Sequence, residues 1–292
     1  MEENTAILQA RRFLQRHQVT SAPVNVMELA AAESFEVKLK DLPEGEAGST
    51  LTRGGRHIIL VNNRDPAARQ RFTVLHEIAH HVLNLPSVHG QAALPVDEAL
   101  KGPPKRPPEE VACDAFASEC LMPLALLKPL TEDLPFGLAT VEELARTFEA
   151  SRHCVASQFV KASAGCLAFV VSESGRINLA FASTALRYAG VHIARRVAVP
   201  RGSAAQALVG CEDGATVTAD TEGGDWSNDA SATRFSVYEE ASWYAPLKRS
   251  YSFLTFEEME PPQRTRSTSS HDYEDELLPE LTGELRWKSR KS

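Results

Sequence analysis

Two histidines four residues apart enclose a glutamate in the segment His76-Glu77-Ile78-Ala79-His80. In a helix, residues four apart lie on the same face, so His76 and His80 direct two imidazoles at one point. This spacing suits a tetrahedral zinc ion, and Glu77 can accept a proton from water there without ligating the metal. The competing interpretation is a solvated helix with two surface histidines, because this pentad arises by chance in on the order of a few per cent of such chains.

A third protein ligand is required, because a catalytic zinc site has three protein ligands and one position open for water. Glu110 and Asp114 follow later in the sequence, four residues apart and therefore on one face of a helix. Glu109 is a competing ligand, but it lies five residues from Asp114 and points to a different face. Cys113 is a further candidate, although free cysteines are more often small buried hydrophobic residues. We predict that Glu110 completes a site for Zn2+, or for another divalent metal such as Mn2+.

The segment from Glu110 to Asp114 resembles the ExxxD element of gluzincin peptidases. In those enzymes the Glu ligates zinc and the Asp orients the first histidine of the HExxH motif. The resemblance therefore implies that Asp114 bonds to His76, which would fix the tautomer of the imidazole and strengthen it as a ligand.

Four stretches taken together are similar to the ImmA/IrrE family of metallopeptidases. They are a strand, an Arg-Phe-Thr segment leading into HExxH, the ligand helix and a Leu-Met-Pro stop, at residues 59–62, 71–80, 110–117 and 121–123. The match covers roughly the first half of the chain. The sequence departs from the family at Cys113-Asp114, where Ala-Asn is usual, and an aspartate orients a histidine better than an asparagine does.

The family resemblance implies a regulatory zinc endopeptidase. Its members typically cleave or inactivate a helix-turn-helix transcriptional repressor, which induces phage-related, mobile-element or stress-response genes. The rival hypothesis is a non-catalytic zinc-containing regulator that binds a repressor or DNA. Glu77 argues against the rival, because a structural zinc site needs no base and usually has four protein ligands.

Composition indicates a globular protein of two or three domains. The chain has 292 residues, 43% of them hydrophobic, and its formal net charge of −8 argues against a whole-molecule nucleic-acid binder. No apolar stretch is long enough to span a bilayer, and the acidic N-terminus does not resemble a signal peptide. Its five cysteines are an odd set without the spacing of a disulfide framework. We expect a cytoplasmic protein with no membrane partner.

Hydrophobic spacing predicts the elements that carry the metal ligands. The predicted helices are 5–19, 26–31, about 65–83 and 109–121, and the predicted strands are 35–39, 49–52 and 57–61. Gly54-Gly55 predicts a hairpin turn between the second and third strands. The segment from Asn84 to Pro108 is predicted to be a loop, and a loop this long inside a domain is usually functional or disordered.

We predict an α+β fold in four parts. They are a zincin-like metallopeptidase domain (1–130), a helix-turn-helix-like segment (131–163), a smaller GAF-like α/β sensor or regulatory domain (164–260) and a disordered tail (261–292). Two helices are predicted between Val141 and Lys161, followed by strands at 167–171, 177–181, 234–238 and 251–256. The domain order follows the radiation-response members of the family, by element type rather than by residue.

The second helix of the predicted pair offers few side chains that could read DNA. Its basic and amide residues are Arg152, His153, Gln158 and Lys161, and the acidic residues nearby are Glu142, Glu143 and Glu149. This balance argues against DNA binding and favours a helix pair that is either structural or docks a protein substrate. We expect specificity to come from this pair and from the loop before Pro108, because a regulatory protease must collect binding energy away from the scissile bond.

Overall fold

The computed structural model describes residues 1–86 and 107–259. The predicted loop from Asn84 to Pro108 falls largely outside these residues, and the predicted tail at 261–292 falls wholly outside them. None of the helices in the described ranges combines the length and the apolar character that a bilayer crossing requires.

The first sheet has three strands, β1 (Phe35–Lys40), β2 (Gly48–Arg53) and β3 (Arg56–Asn62). β1 runs parallel to β3 and β2 runs antiparallel to it, in the order β1-β3-β2. Gly54 and Gly55 both have positive φ in the turn between β2 and β3, as the predicted hairpin requires. β2 therefore lies at an edge of the sheet.

Four helices accompany this sheet: α1 (Glu3–Arg16), α2 (Val26–Ala32), α3 (Ala67–Val82) and α4 (Pro108–Leu121). α3 packs on β2 and β3 and also on α4. The residues of α3 from Thr73 to His80 are all buried. A helix that is buried all round lies at the centre of a core, so its polar side chains need partners within the protein.

Three further helices follow α4: α5 (Leu124–Asp133), α6 (Leu138–Phe148) and α7 (Arg152–Ala162). α6 and α7 are the two helices that the sequence predicts in this region. The sequence does not predict α5, because Pro123 precedes it and Pro129 lies inside it, and both residues normally interrupt a helical pattern.

The side chains of α7 that could read DNA are engaged within the protein. Gln158 is buried. The ring of His153 packs edge-on against Phe169, with the ring centroids 5.5 Å apart. Arg152 forms an ion pair with Glu142 of α6 at 2.7 Å. Most of α7 is covered by neighbouring elements, so it serves as a core helix in this fold.

The second sheet has five antiparallel strands in the order β5-β4-β8-β7-β6. Its strands are β4 (Leu167–Glu173), β5 (Arg176–Ala182), β6 (Thr216–Glu222), β7 (Phe235–Tyr244) and β8 (Arg249–Glu258). Short helices α8 (Thr184–Tyr188), α9 (Ala204–Ala207) and α10 (Gly223–Trp226), with 3-10 turns at Ala230–Arg234 and Ala245–Leu247, occur in the connections. The sequence does not predict β6, which is an edge strand of mostly small and polar residues in which Val217 and Ala219 are only partly buried.

The two faces of the second sheet contribute to different cores. Phe169 and Phe253 belong to the same core as the helices of the first half, and Phe253 makes an edge-on contact with Phe136 at 5.5 Å. Val170 and Leu254, on the opposite face, form a separate core with the connecting segments of the sheet. One face of the sheet therefore packs on the helices that precede it, including α6 and α7.

The fold is a mixture of α and β elements, as predicted, with a β-sheet region in the C-terminal half. The described residues belong to one compact unit that runs from Met1 to Met259. The predicted domain boundaries, and the helix-turn-helix-like and GAF-like assignments, stay predictions.

β2 approaches α3 closely at Gly48. A Cβ atom on Gly48 would collide with Cγ2 of Thr73 on α3 and would lie 2.8 Å from the backbone oxygen of Leu60. The Leu60 oxygen is part of β3, so it cannot move aside as the end of a flexible side chain can. The absence of a side chain at Gly48 is what permits this edge strand to lie against the buried helix.

We expect Gly48→Ala to lower the thermal unfolding midpoint by about 2–10 °C, because overpacking typically costs about 1–3 kcal/mol. Gly165→Ala is the matched control, since the nearest atom to its added Cβ would be at 3.5 Å, an ordinary contact. Calorimetry on both variants measures the difference. Equal midpoints for Gly48→Ala and the wild type would contradict the close packing of β2 on α3.

Candidate metal centre

The facing sides of α3 and α4 bring together His76, His80 and Glu110. Their ligand atoms all lie within 4.8 Å of one another. His76 Nε2 is 3.1 Å from Glu110 Oε2 and 3.2 Å from His80 Nε2. His80 Nε2 is 3.5 Å from Glu110 Oε1. Each of the three residues is at most 6% exposed, so the group is enclosed by protein.

This donor set fits a divalent metal ion. Two imidazole nitrogens and one carboxylate oxygen are the protein ligands of many catalytic zinc sites, which keep a further position for water. The buried carboxylate of Glu110 lies beside both imidazoles, where a cation would offset the cost of burying its negative charge. His76, His80 and Glu110 would hold the ion.

Asp114 lies on the far side of His76 from this group. Its Oδ1 is 3.0 Å from His76 Nδ1. Burial by itself lowers the pKa of His76, but the hydrogen bond and charge of Asp114, with the charges of Glu110 and Glu77, raise that pKa above its ordinary value. An imidazole whose Nδ1–H is held by a carboxylate presents Nε2 to a metal. The contact is the one that the ExxxD resemblance implies.

Glu77 is 1% exposed and lies on α3 between the two histidines. Its Oε2 accepts a hydrogen bond of 2.7 Å from the hydroxyl of Thr50 on β2. Sequence reasoning missed Thr50, because it lies on a separate strand and no motif marks it. The available signal was its position on a strand that precedes the HExxH helix.

The structure places the competing candidates in different surroundings. The metal-binding group among the described residues contains Glu110 and does not include Glu109 or Cys113. Glu109 is partly exposed, whereas Glu110 is buried. Cys113 is also buried, in the apolar core. The face of α4 that carries Glu110 and Asp114 is therefore the face that lies towards α3.

Comparison with known families identifies this region. Residues 32–159 match the family model of the M78 peptidases, described as the IrrE N-terminal-like domain. This segment is an IrrE N-terminal-like domain. It contains the HExxH segment and the ligand helix, so the resemblance to the ImmA/IrrE family is confirmed. The IrrE N-terminal-like domain ends within α7, and the second sheet lies beyond it.

A solved structure with a similar fold is that of a "Mycobacterium tuberculosis transcriptional regulator". It shares 12% sequence identity with this chain, and the two superpose with a TM-score of 0.56. The similarity covers 86% of this chain and 88% of the other, so it extends past the IrrE N-terminal-like domain into the second sheet. No curated protein matches the sequence.

We expect Glu110→Gln to weaken zinc binding by more than about 100-fold, and Asp114→Asn by about 10- to 100-fold through its effect on His76. Glu109→Gln is the matched control and should bind zinc as the wild type does. Competition with a chromophoric chelator measures all three affinities. A larger loss for Glu109→Gln than for Glu110→Gln would move the third ligand by one residue.

Proposed function

We propose that this protein is a cytoplasmic zinc-dependent endopeptidase that cleaves a helix-turn-helix transcriptional repressor, and so induces stress-response or mobile-element genes. The observation that carries the proposal is the buried group of His76, His80 and Glu110, with Glu77 between the histidines, inside an IrrE N-terminal-like domain. The structural relative is a transcriptional regulator, which supports a role in gene regulation for this protein.

The proposed chemistry is hydrolysis of a peptide bond. A bound zinc ion would supply Lewis acidity, which polarises the scissile carbonyl and acidifies water. Glu77 accepts a proton from the attacking water as the water oxygen bonds to the carbonyl carbon. Glu77 then gives this proton to the amine nitrogen as the C–N bond breaks, which releases a carboxylic acid and an amine. Asp114 holds His76 through Nδ1, so Nε2 stays directed at the metal position.

The edge strand β2 supports the binding of an extended peptide. Within the described ranges, β2 pairs with β3 alone, so the other edge of β2 presents main-chain groups for a further strand. Because Thr50 of β2 contacts Glu77, a peptide added along this edge would pass close to the base. The substrate would therefore be cut in an extended segment, such as a linker between folded parts of a repressor.

The C-terminal sheet supports a regulatory part. Counted from its own first strand, its order is 2-1-5-4-3 with every pair antiparallel, which fits the GAF-like sensor that the family layout implies. DNA is not a partner in this proposal, because Gln158 of α7 is buried and Arg152 is paired with Glu142. The helix pair α6–α7 is proposed to help dock the repressor.

The rival function is a zinc-containing regulator that binds a repressor without cutting it. It shares the fold and the metal ligands with the proposed peptidase, and it differs in having no use for the carboxylate of Glu77. The buried Glu77 beside the metal ligands favours the peptidase.

We expect Glu77→Gln to retain zinc and to lose at least about 100-fold in proteolytic rate, because an amide cannot accept the proton of water. The test uses the zinc-loaded full chain and a protein extract from host cells that lack this gene. New N-termini are identified and timed by mass spectrometry, and Glu77→Gln serves as the blank.

The proposal expects few cleaved proteins, with a helix-turn-helix repressor among them. Equal sets of N-termini from wild type and Glu77→Gln would overturn the peptidase and favour the non-catalytic regulator. Wide cleavage of unrelated proteins would overturn the regulatory part of the proposal. Zinc content measured on both proteins shows whether a lost activity reflects lost metal.

A further inference from the structure

Thr50 is the point at which the edge strand touches the general base. Its hydroxyl donates to Glu77 Oε2 at 2.7 Å. Glu77 is 1% exposed, so its carboxylate lies in a place where each hydrogen bond counts more than it does in water. Thr50 belongs to neither the HExxH motif nor the ligand helix. It contacts Glu77 only because β2 lies against α3.

The position of Thr50 is held from one side by the close packing at Gly48. Residues two apart on a strand share a face, and residues four apart on a helix share a face. Gly48 of β2 lies against Thr73 of α3. Thr50, two residues further along the strand, contacts Glu77, which is four residues further along the helix. The strand and the helix therefore lie alongside each other, and every second residue of the strand faces every fourth residue of the helix.

The next step of the same register lies at Thr52. Its Oγ1 is 3.1 Å from Nδ1 of His57 on β3. The ring of His57 lies 5.6 Å from that of His81, which is four residues after Glu77 on α3. Thr50 is thus flanked on both sides by contacts that tie this face of the hairpin to the helix.

We infer that Thr50 is a positioning residue for the proposed hydrolysis, which holds Glu77 in the orientation that receives the proton of water. This inference rests on the proposed function. The Thr50 hydroxyl donates to Oε2, and this hydrogen bond restrains the orientation of the carboxylate. A glutamate has three side-chain torsions, and fixing them in advance removes an entropic cost from the reaction.

The inference also links the base to the substrate. Thr50 is part of the edge strand along which a peptide is proposed to pair, so one strand sets the position of both the scissile bond and the carboxylate. A displacement of about 1 Å between reacting groups can cost about 100-fold in rate. If the Thr50 hydroxyl had only a structural role, its removal would lower stability but would not change the reaction rate through Glu77.

The rate test compares Thr50→Val, Thr50→Ser and the double variant Thr50→Val/Glu77→Gln in the zinc-loaded full chain. The initial rate of appearance of new N-termini in the host extract is the readout. Thr50→Val should lose about 10- to 100-fold, whereas Thr50→Ser, which keeps the hydroxyl, should stay within about threefold of wild type. The double variant should be no slower than Glu77→Gln alone, because Thr50 acts through Glu77.

Thr131→Val is the matched control, since it removes the hydroxyl that donates to the Lys128 carbonyl at 2.9 Å, away from the site. It should cleave at the wild-type rate, and zinc content should be unchanged in all variants. Thr50→Val at the wild-type rate would overturn the inference. The inference would also be overturned if Thr50→Val slowed the Glu77→Gln variant by the same factor by which it slows the wild type.

A second readout needs neither zinc nor substrate. In metal-free protein, Thr50→Val should lower the unfolding midpoint on the wild-type background and should not lower it on a Glu77→Met background, because the acceptor is gone. Thr131→Val should lower the midpoint equally on both. If the wild type releases no new N-termini, the proposed function fails and this thermal cycle alone decides the contact. An equal effect of Thr50→Val on both backgrounds would show that Thr50 does not hold Glu77.

Discussion

The contact between α3 and α4 removes several ionisable side chains from water, which costs free energy that the neighbouring elements must offset. His76, His80 and Glu110 are 4–6% exposed, and Glu77 is 1% exposed. Buried charges are costly unless partners of opposite charge or hydrogen-bond donors surround them. The surrounding elements supply such partners: Asp114 from α4 for His76, and the Thr50 hydroxyl from β2 for Glu77. A cation bound by the histidines and Glu110 would complete the compensation.

The same constraint explains why the small sheet is built as it is. Glu77 can accept a hydrogen bond from a hydroxyl of β2 only if that strand lies directly on the helix. Gly48 permits this close approach because glycine has no side chain. The order β1-β3-β2 then leaves this strand at the edge. One arrangement therefore serves two needs, since the strand that supports the base also presents main-chain groups to an extended peptide.

Polar contacts also connect α3 to the C-terminal half of the chain. Arg71, on the first half of α3, donates to the backbone oxygen of Val24 at 2.7 Å and forms an ion pair of 2.9 Å with Glu149 in the turn between α6 and α7. At the other end of α6, the side chain of Glu240 on β7 accepts the backbone N–H of Leu138 at 2.9 Å. The helix pair is thus held between the metal-binding helix and the second sheet.

The spacing of the chemical groups along each helix can be read from the residues alone, because side chains four residues apart lie on one face of a helix. That local rule was enough to pair His76 with His80 and to prefer Glu110 over Glu109. The Thr50 contact and the burial of Gln158 depend on how the elements pack against one another, because apolar spacing does not say which layer covers a helix. Distances within an element follow from backbone geometry, whereas distances between elements follow from how the core packs.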